Sequence, residues 1–218
     1  MIPTLHEAHR IQNAIRSARA PGVEVIVVDG GSGDETCALA RKAGARVVVS
    51  QRGRARQLQA GAQAARRADA LVFLHADTTL PRGFADALRE ALADPCAAGG
   101  AFAFRFDERG PMLRFVEWGV RLRLALARLP YGDQALFVRR SVLDTIGGVP
   151  QVPVMEDLDL VTAIERHGHV VILPAAAVTS AHRYREHGVL RTMLRHWIAL
   201  AAWKLGIDRE RIARWVAR

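Results

Sequence analysis

Short apolar runs alternate with amphipathic helical patterns through the first half of the chain. Three runs rich in β-branched and aliphatic residues predict buried strands, at 23–29, 45–50 and 70–75. Apolar residues at helical spacing predict helices between and after them, at 34–43, 54–67 and 82–93. This alternation is typical of an α/β fold with a central, mostly parallel sheet flanked by helices.

The second half of the chain is less regular but contains the same two kinds of pattern. Strands are predicted at 99–107, 134–139 and 170–173. Helices are predicted at 112–128, 157–167, 186–205 and 208–216. No repeat, low-complexity tract or linker interrupts the sequence, so we expect residues 1–218 to form a single domain.

The amino terminus has the pattern of a strand that ends shortly after it begins. Only Met1 and Ile2 precede Pro3, whereas a central strand needs about five or six residues. The segment 2–5, followed by a helix predicted at 7–19, therefore resembles the exit of a truncated first strand. We expect the natural reading frame to begin a few codons upstream, and in-frame stop codons directly before Met1 would contradict this.

Length, hydropathy and cysteine usage narrow the functional classes. With 218 residues and 50% hydrophobic positions, the chain can bury a sizeable core. No apolar run approaches the roughly 18 to 20 residues that cross a bilayer, and the first residues lack a signal-peptide pattern. Cys37 and Cys96 have no metal-type spacing. We therefore expect a cytoplasmic protein with reduced thiols.

Arginine accounts for almost all of the positive charge, and the formal net charge is +9. Such a bias has three interpretations: genome composition without functional meaning, phosphate-bearing substrates, or peripheral contact with the anionic inner face of the membrane. A nucleic-acid partner is not predicted, because no aromatic residues are interleaved with the basic ones and no reading motif is present.

Three acidic residues occupy the positions where ligands gather in open α/β sheets. Asp29 closes the first long strand, Asp77 follows the third, and Asp157 opens a helix. Each has an ordinary alternative role: Asp29 as a helix cap, Asp77 as a turn residue, and Asp157 as a first-turn acid favoured by the helix dipole. Their order and context together favour a shared functional site.

Four motifs together resemble those of family 2 glycosyltransferases. They are IPTLHE (2–7), VVDGGSGDET (27–36), FLHAD (73–77) and MED (155–157). The resemblance covers nearly the whole chain. It implies a GT-A fold and the inverting, metal-dependent transfer of a hexosyl-type sugar from a nucleotide-diphosphate donor. It also implies a nucleotide-binding half at about 1–95 and an acceptor and catalytic half, with the C-terminal helices, at about 96–218.

Further motifs narrow the resemblance to one bacterial subgroup. They are RGRARQ (52–57), PYGDQ (130–134) and GGVP (147–150). Members of this subgroup are often labelled as arsenosugar-biosynthesis glycosyltransferases. The resemblance therefore suggests a substrate class, but the residues themselves identify neither the sugar nor the acceptor.

The resemblance implies a nucleotide-binding set in the first part of the chain. The residues that would line the nucleoside pocket or lie along the nucleotide are Pro3, Thr4, Leu5, Glu7, Arg54 and Gln57. Arg54 supplies the positive charge that a pyrophosphate needs. Asp29 would accept a hydrogen bond from the base, and a carboxylate suits a uracil-type N–H because it only accepts. A UDP-sugar is therefore the first choice of donor.

Asp77 matches the last acid of the family's Asp-x-Asp motif. By similarity, it would hold a divalent metal against the pyrophosphate oxygens. His75 stands where the first aspartate is usual. Imidazole tolerates Mn²⁺ better than Mg²⁺, so Mn²⁺ is the expected cofactor. His75 would bind either the metal or the nucleotide, and an ordinary strand-end residue is the alternative.

Asp157 matches the position of the family's catalytic base. Inverting transfer needs a carboxylate within hydrogen-bond reach of the acceptor hydroxyl, on the face opposite the leaving group. Glu156 is adjacent, and it would share that role or bind the acceptor because either side chain can point inward at a helix start. We expect Asp157 to be the base.

Four other residues are candidates for contact with the acceptor or the diphosphate. Asp133 and Gln134 precede a strand and would contact the donor sugar or the acceptor, with a plain turn as the alternative. Arg183 and Arg185 occupy positions where some relatives have diphosphate-binding or metal-binding groups, with surface arginines as the alternative.

Two other functional classes compete with glycosyl transfer. A nucleotidyltransferase on a similar fold would hold Mg²⁺ with two acids and would not need the late MED motif. A non-catalytic module derived from a transferase would bind a membrane surface or a protein partner. The apolar helices at 112–128 and 186–205 carry scattered arginines, and such helices lie in a membrane interface, on a core or against a second subunit.

Overall fold

The computed structural model describes residues 1–216, in which strands and helices alternate along the chain. The strands are β1 (Ile2–Thr4), β2 (Ile26–Asp29), β3 (Arg46–Val49), β4 (Ala70–Phe73), β5 (Thr78–Thr79), β6 (Ala97–Phe106), β7 (Leu136–Arg139) and β8 (His169–Thr179). The helices are α1 (Ile11–Ser17), α2 (Thr36–Lys42), α3 (Arg54–Ala64), α4 (Phe84–Ala91), α5 (Pro111–Ala127), α6 (Arg140–Thr145), α7 (Glu156–Glu165), α8 (His182–His187), α9 (Val189–Lys204) and α10 (Arg209–Val216).

The first sheet has the order β1-β2-β3 and is entirely parallel. β2 is buried along its whole length because helices cover both of its faces. Val27 belongs to the same core as the apolar side chains of α1, and Val28 faces α3. The register pairs Thr4 with Asp29, so the carboxyl ends of β1 and β2 lie at one edge. The predicted α/β fold, with a parallel sheet flanked by helices, is confirmed.

The second sheet has the order β4-β7-β6-β8-β5 and is mixed. β7 runs antiparallel to both β4 and β6, β5 runs antiparallel to β8, and β6 and β8 are parallel. The prediction of mostly parallel strands is therefore wrong for this sheet. Strands that are buried on both faces read as continuous apolar runs, and such runs do not reveal the direction of their neighbours.

Met1 joins the two sheets. Its amino group donates to the Val72 carbonyl at 2.6 Å, and the Leu74 N–H donates to the Met1 carbonyl at 2.9 Å. Burial lowers the pKa of this amino group to about 5. Next to Met1, a cavity of about 730 Å³ lies between the first residues of β2 and those of β4. The expectation of an upstream start stays a prediction.

β8 is longer than the predicted strand at 170–173. Pro174 follows the predicted strand directly, and proline cannot donate a hydrogen bond to a neighbouring strand. In the structure, the register between β6 and β8 shifts at this point, from Phe102 opposite Leu173 to Ala103 opposite Ala176. The shift forms a bulge that accommodates Pro174, so the strand continues to Thr179.

Several helices also differ from their predicted bounds. The helix predicted at 186–205 is two helices, α8 and α9, because Gly188 between them adopts a φ of 80°. The helix predicted at 7–19 is shorter and begins at Ile11. α6 and β5 were not predicted, since elements of six and two residues are too short for periodicity to show.

Candidate active site

Two adjoining cavities open near the carboxyl ends of β1 and β4 and the amino end of α7. The first has a volume of about 200 Å³ and the second about 350 Å³. Arg54, His75 and Arg183 line both cavities and therefore form the boundary between them. The arrangement is a site of two compartments with a shared wall of basic side chains.

The first cavity is formed mostly by the amino-terminal part of the chain. Besides the three shared side chains, its walls are Pro3, Thr4, Leu5, Glu7, Gln57, Ala76 and Asp77. The residues predicted for the nucleoside pocket from the IPTLHE motif thus lie together, and they lie beside the predicted metal ligand. Segments that are far apart in sequence converge here because β1 and β4 end at the same edge.

The second cavity is formed by later elements of the chain. The side chains in its walls that could take part in chemistry are Tyr131, Asp133, Glu156, Asp157, Tyr184, Arg195 and His196. It is larger than the first cavity and has apolar walls around these polar groups, among them Phe106 and Ala199. Asp77 and Asp157 therefore lie in different compartments of one site.

Asp157 is held in place by two backbone groups. Its Oδ2 accepts the Gly132 N–H at 2.8 Å, and its Oδ1 accepts the Leu158 N–H at 2.9 Å. Met155, the residue before α7, has a φ of 64°, a left-handed conformation that costs a residue with a side chain on the order of 1–3 kcal/mol. This strained turn starts the helix at Glu156 and directs both carboxylates toward the cavity.

Glu156 is buried and ion-paired. Its Oε1 lies 2.7 Å from Arg54 Nε, and 4% of the residue is exposed. Burial raises the pKa of the Glu156 carboxyl, and the Arg54 charge opposes that rise. Arg54 also contacts His75 Nε2. Glu156 therefore anchors the guanidinium group that separates the two cavities.

Asp77 has two basic neighbours. Its Oδ1 lies 3.9 Å from His75 Nδ1, and its Oδ2 lies 3.5 Å from the nearest Arg183 nitrogen. Burial, together with the charges of Arg54 and Arg183, lowers the pKa of His75 well below its usual value. The imidazole is therefore neutral near pH 7, and its one lone-pair nitrogen is Nε2, so a metal ion bound there would take the place of the Arg54 contact.

Asp77 and His75 could hold a divalent cation only if a bound ligand completed its coordination shell. Within residues 1–216, no group of three or more His, Cys, Asp or Glu side chains could hold a metal ion. Ions at nucleotide sites commonly take one or two protein ligands and complete their shell with phosphate oxygens and water. Asp77 and a neutral His75 match that pattern, and Arg183 beside Asp77 can pair with a phosphate oxygen.

Gln57 lines the first cavity, but its side-chain amide forms hydrogen bonds within the protein. Its Nε2 donates to the Thr4 carbonyl at 2.9 Å and to the Val28 carbonyl at 2.8 Å. These bonds tie α3 to the ends of β1 and β2. Glu7 lies on the same wall, and burial followed by the charge of Asp77 raises the pKa of its carboxyl.

Asp29 lies outside the walls of both cavities and is 2% exposed. Its Oδ2 accepts the N–H groups of Gly31 and Ser32 at 2.9 Å each, and its Oδ1 accepts the Ser32 hydroxyl at 2.5 Å. Burial raises the pKa of the Asp29 carboxyl, but these hydrogen bonds outweigh it and lower the pKa. Asp29 organises the loop after β2, and its contact with a nucleotide base stays a prediction.

Asp133 and Gln134 have different surroundings, although they are adjacent. Asp133 lines the second cavity, where burial raises the pKa of its carboxyl against the charges of Arg123 and Arg183. Gln134 is fully buried, and its Oε1 accepts hydrogen bonds from Arg123 at 3.0 Å and from the Tyr131 N–H at 3.2 Å. Gln134 therefore supports the turn, and Asp133 faces the cavity.

The two arginines of α8 also differ. Arg183 belongs to the shared wall of both cavities, although 56% of its side chain is exposed. Arg185 lines neither cavity, is 65% exposed, and lies 3.3 Å from Glu108 Oε1. Arg183 is thus placed to meet a ligand, whereas Arg185 forms a surface ion pair.

The sequence reasoning missed several residues of the second cavity. Gly132, with Asp133 and Gln134, was expected to contact the donor sugar or the acceptor or to form a plain turn, and its hydrogen bond to Asp157 was not predicted. Tyr184 and His196 lie on α8 and α9, and burial lowers the pKa of His196 to about 4. No motif marks these two positions, because they reach the site only through the packing of the carboxy-terminal helices.

Gly132→Ala is expected to lower the thermal midpoint by roughly 2–12 °C, which corresponds to about 1–3 kcal/mol of overpacking. A Cβ at this position would overlap the Arg54 guanidinium and lie 2.9 Å from His75 Nε2 and 3.2 Å from Asp157 Oδ2. The matched control is Gly119→Ala in α5, where an added Cβ has nothing within 4 Å. Because alanine is the better helix former, this control should raise the midpoint. Equal midpoints for the two variants would mean that these side chains do not confine Gly132.

Solved structures share this fold. Glucosyl-3-phosphoglycerate synthase from Mycobacterium tuberculosis, in complex with Mn²⁺, UDP and glucosyl-3-phosphoglycerate, matches with a TM-score of 0.64 and 22% identity over 95% of this chain and 79% of that chain. The same enzyme in complex with phosphoglyceric acid matches with a TM-score of 0.58 and 24% identity over 82% and 68% of the two chains. A mycobacterial protein matches with a TM-score of 0.55 and 25% identity over 82% and 63%. The likeness confirms the predicted GT-A fold.

Sequence comparison identifies the family. No curated protein matches the chain. Residues 1–147 match the family described as Glycosyl transferase family 2, which is more than half of the chain and includes Arg54, His75 and Asp77. The narrower resemblance to the arsenosugar subgroup stays a prediction. The chain belongs to glycosyl transferase family 2, as the IPTLHE, VVDGGSGDET, FLHAD and MED motifs imply.

Proposed function

We propose that the protein transfers a hexosyl-type sugar from a nucleoside-diphosphate donor to an acceptor hydroxyl, with inversion at the anomeric carbon. One observation carries this proposal: two cavities meet at Arg54, His75 and Arg183, with Asp77 in the first cavity and Asp157 in the second. A transferase needs a donor site and an acceptor site that meet where the bond is exchanged. The proposal includes a nucleotide-binding half at about 1–95 and an acceptor and catalytic half, with the C-terminal helices, at about 96–218.

The first cavity is the proposed donor site. The nucleoside would lie against Pro3, Thr4 and Leu5, and the diphosphate would lie at the shared wall, where two guanidinium groups face it. UDP is the first choice of nucleotide. Neighbours of the same fold were solved with UDP and with UDP-glucose, which supports the choice.

Asp77 and His75 are the proposed ligands of a divalent metal, Mn²⁺ in preference to Mg²⁺. When bound, such an ion neutralises charge that develops on the departing nucleoside diphosphate. Arg183 and Arg54 would hold phosphate oxygens beside it and add to the same stabilisation. The Mn²⁺ in complexes of the neighbouring synthase supports this assignment.

Asp157 is the proposed general base. It is fixed by Gly132, lies in the second cavity and is not a wall of the first, as expected for a carboxylate that accepts a proton from the acceptor. Glu156 is bound to Arg54, and we assign it the role of positioning that guanidinium group. A nucleotidyltransferase would have no use for a carboxylate in a separate acceptor cavity.

A thermal-shift screen of UDP-, GDP- and dTDP-sugars, with and without Mn²⁺, tests the proposal. A ligand near one hundred times its Kd stabilises the native state by about 2.7 kcal/mol, or roughly 5–10 °C for a chain of this length. We expect the UDP-sugars to give the largest shift and Mn²⁺ to increase it. If no nucleotide shifts the midpoint at millimolar concentration, the donor site is wrongly assigned.

A further inference from the structure

The helices α5 and α9 expose two rows of large apolar side chains. The exposed fractions lie between 42% and 78% for Met112, Phe115, Trp118, Leu122, Leu126, Leu190, Leu194, Trp197 and Ile198. Within each helix the spacing of three or four residues places these side chains on one stripe. We call the two stripes together the α5–α9 face. Monomeric soluble proteins rarely expose apolar side chains in such a contiguous patch, so this face indicates a binding surface.

The two stripes form one face because the helices lie side by side. A groove of about 60 Å³ between them is lined by Val116 and Val120 of α5 and by Met193 and Leu200 of α9. Successive residues of an α-helix are rotated by about 100° around its axis. This rotation places the exposed stripe of each helix next to the groove and away from the buried side of that helix. The stripes therefore point outward together.

Basic side chains border the α5–α9 face, and acidic ones are nearly absent. The two helices contain six arginines and lysines. Arg123 points into the groove and donates to Gln134, and Arg195 lines the second cavity, so the basic residues at the border of the face are Arg114, Arg121, Arg191 and Lys204. Their one acid is Glu117, whose carboxylate accepts the Phe106 N–H at 2.9 Å. Arg114 and Arg121, seven residues apart, lie along the edge of the α5 stripe that faces away from α9. Within residues 1–216, none of the six basic groups has a carboxylate within 4.0 Å.

We propose that the α5–α9 face docks on the surface of an anionic lipid bilayer. The apolar stripes would enter the boundary between headgroups and acyl chains, and the bordering arginines would meet lipid phosphates. Trp118 and Trp197 lie within the stripes, and tryptophan favours this depth because its ring is amphipathic. No helix of residues 1–216 is long and apolar enough to cross a membrane, so the helices would lie in the plane of the interface.

The charge of the α5–α9 face favours an anionic bilayer over a second copy of the chain as the partner of this face. A two-fold dimer through this face would bring the same surface against itself. Arg114, Arg121 and Arg191 of both copies would then approach one another, with no carboxylate on the face to neutralise them. An anionic bilayer supplies the missing negative charge and also covers the apolar stripes.

Flotation of the full chain with lipid vesicles tests the proposal independently of any sugar transfer. We expect co-flotation with vesicles that contain phosphatidylglycerol, much weaker binding to phosphatidylcholine alone, and release at high salt. Fluorescence of Trp118 and Trp197 should shift to shorter wavelength with the phosphatidylglycerol vesicles. Absence of flotation with these vesicles would overturn the proposal.

Matched variants locate the surface. Phe115→Glu combined with Trp118→Glu should abolish flotation, whereas Val49→Glu should not, because Val49 is 67% exposed but lies on β3 away from this face. Arg114→Gln and Arg121→Gln should each lower the partition coefficient about fivefold, and these exposed changes leave the core intact. Equal flotation of all variants would overturn the proposal. So would a dimer in light scattering that the double glutamate variant dissociates.

Discussion

Asp77→Asn is expected to lower kcat/KM for sugar transfer by about 10³-fold, which corresponds to about 4 kcal/mol of transition-state stabilisation. The substitution keeps the size of the side chain but removes the charge that would hold a divalent cation. It also releases Arg183, which lies 3.5 Å from Asp77 Oδ2, so the donor diphosphate loses its alignment on one side. The loss should appear mainly in kcat, because the metal would act on the departing group.

The control for Asp77→Asn is Asp86→Asn in α4, whose side chain is 86% exposed and is paired with Arg89 on the surface. Both variants should fold with nearly unchanged circular dichroism. Asp77→Asn should lose the Mn²⁺-dependent part of the UDP-sugar thermal shift, whereas Asp86→Asn should keep it. Sugar transfer by Asp77→Asn at the wild-type rate would remove Asp77 from the metal site.

Asp157→Asn is expected to lower kcat by about 10²- to 10⁴-fold and to leave donor binding unchanged. The amide cannot take the proton of the acceptor hydroxyl, yet its oxygen still accepts the Gly132 N–H, so the local structure should persist. Asp157 is not a wall of the first cavity, which is why the UDP-sugar thermal shift should survive. Kinetics at saturating donor, together with that shift, measure both expectations.

The Glu156→Gln variant distinguishes the role of Glu156 from that of the adjacent Asp157. Arg54 would lose the carboxylate 2.7 Å from its Nε, and the guanidinium group would move relative to the donor diphosphate. We expect the KM for the donor to rise several-fold while kcat falls less than in Asp157→Asn. The opposite result, with kcat lost in Glu156→Gln and kept in Asp157→Asn, would make Glu156 the base.

The periodicity of apolar residues predicted most strands and helices, but it did not predict which strands lie next to each other in the sheets. The runs around Val27 and Phe73 predicted strands because both are continuously apolar, and the structure has β2 and β4 there. Their direction in the sheets did not follow, since direction depends on contacts between distant segments. The predicted strand at 170–173 stops short of Thr179. The bulge that accommodates Pro174 is specified by the register with β6, and no local pattern reveals that register.

The sequence predicted the site residues that lie in short motifs. It did not predict those that reach the site only through the packing of distant segments. The motifs identified Asp77 and Asp157, and the structure places these two carboxylates in adjoining cavities. The chain of contacts from His75 through Arg54 to Glu156 joins three segments of the sequence, so only the folded structure reveals it. Asp29 shows the reverse difficulty. Its ordinary alternative was a helix cap, but the hydrogen bonds that it accepts come from Gly31 and Ser32 in the loop after β2, and α2 begins later, after Glu35.

The helix α9 has one side in the second cavity and the other on the α5–α9 face. Thr192, Arg195 and Ala199 line the cavity, and Leu190 and Leu194 are exposed on the opposite side. An enzyme docked through that face would meet a lipid-borne acceptor by diffusion in two dimensions. Its rate would then follow the mole fraction of acceptor in the membrane, and dilution with inert lipid would slow it even at constant total acceptor.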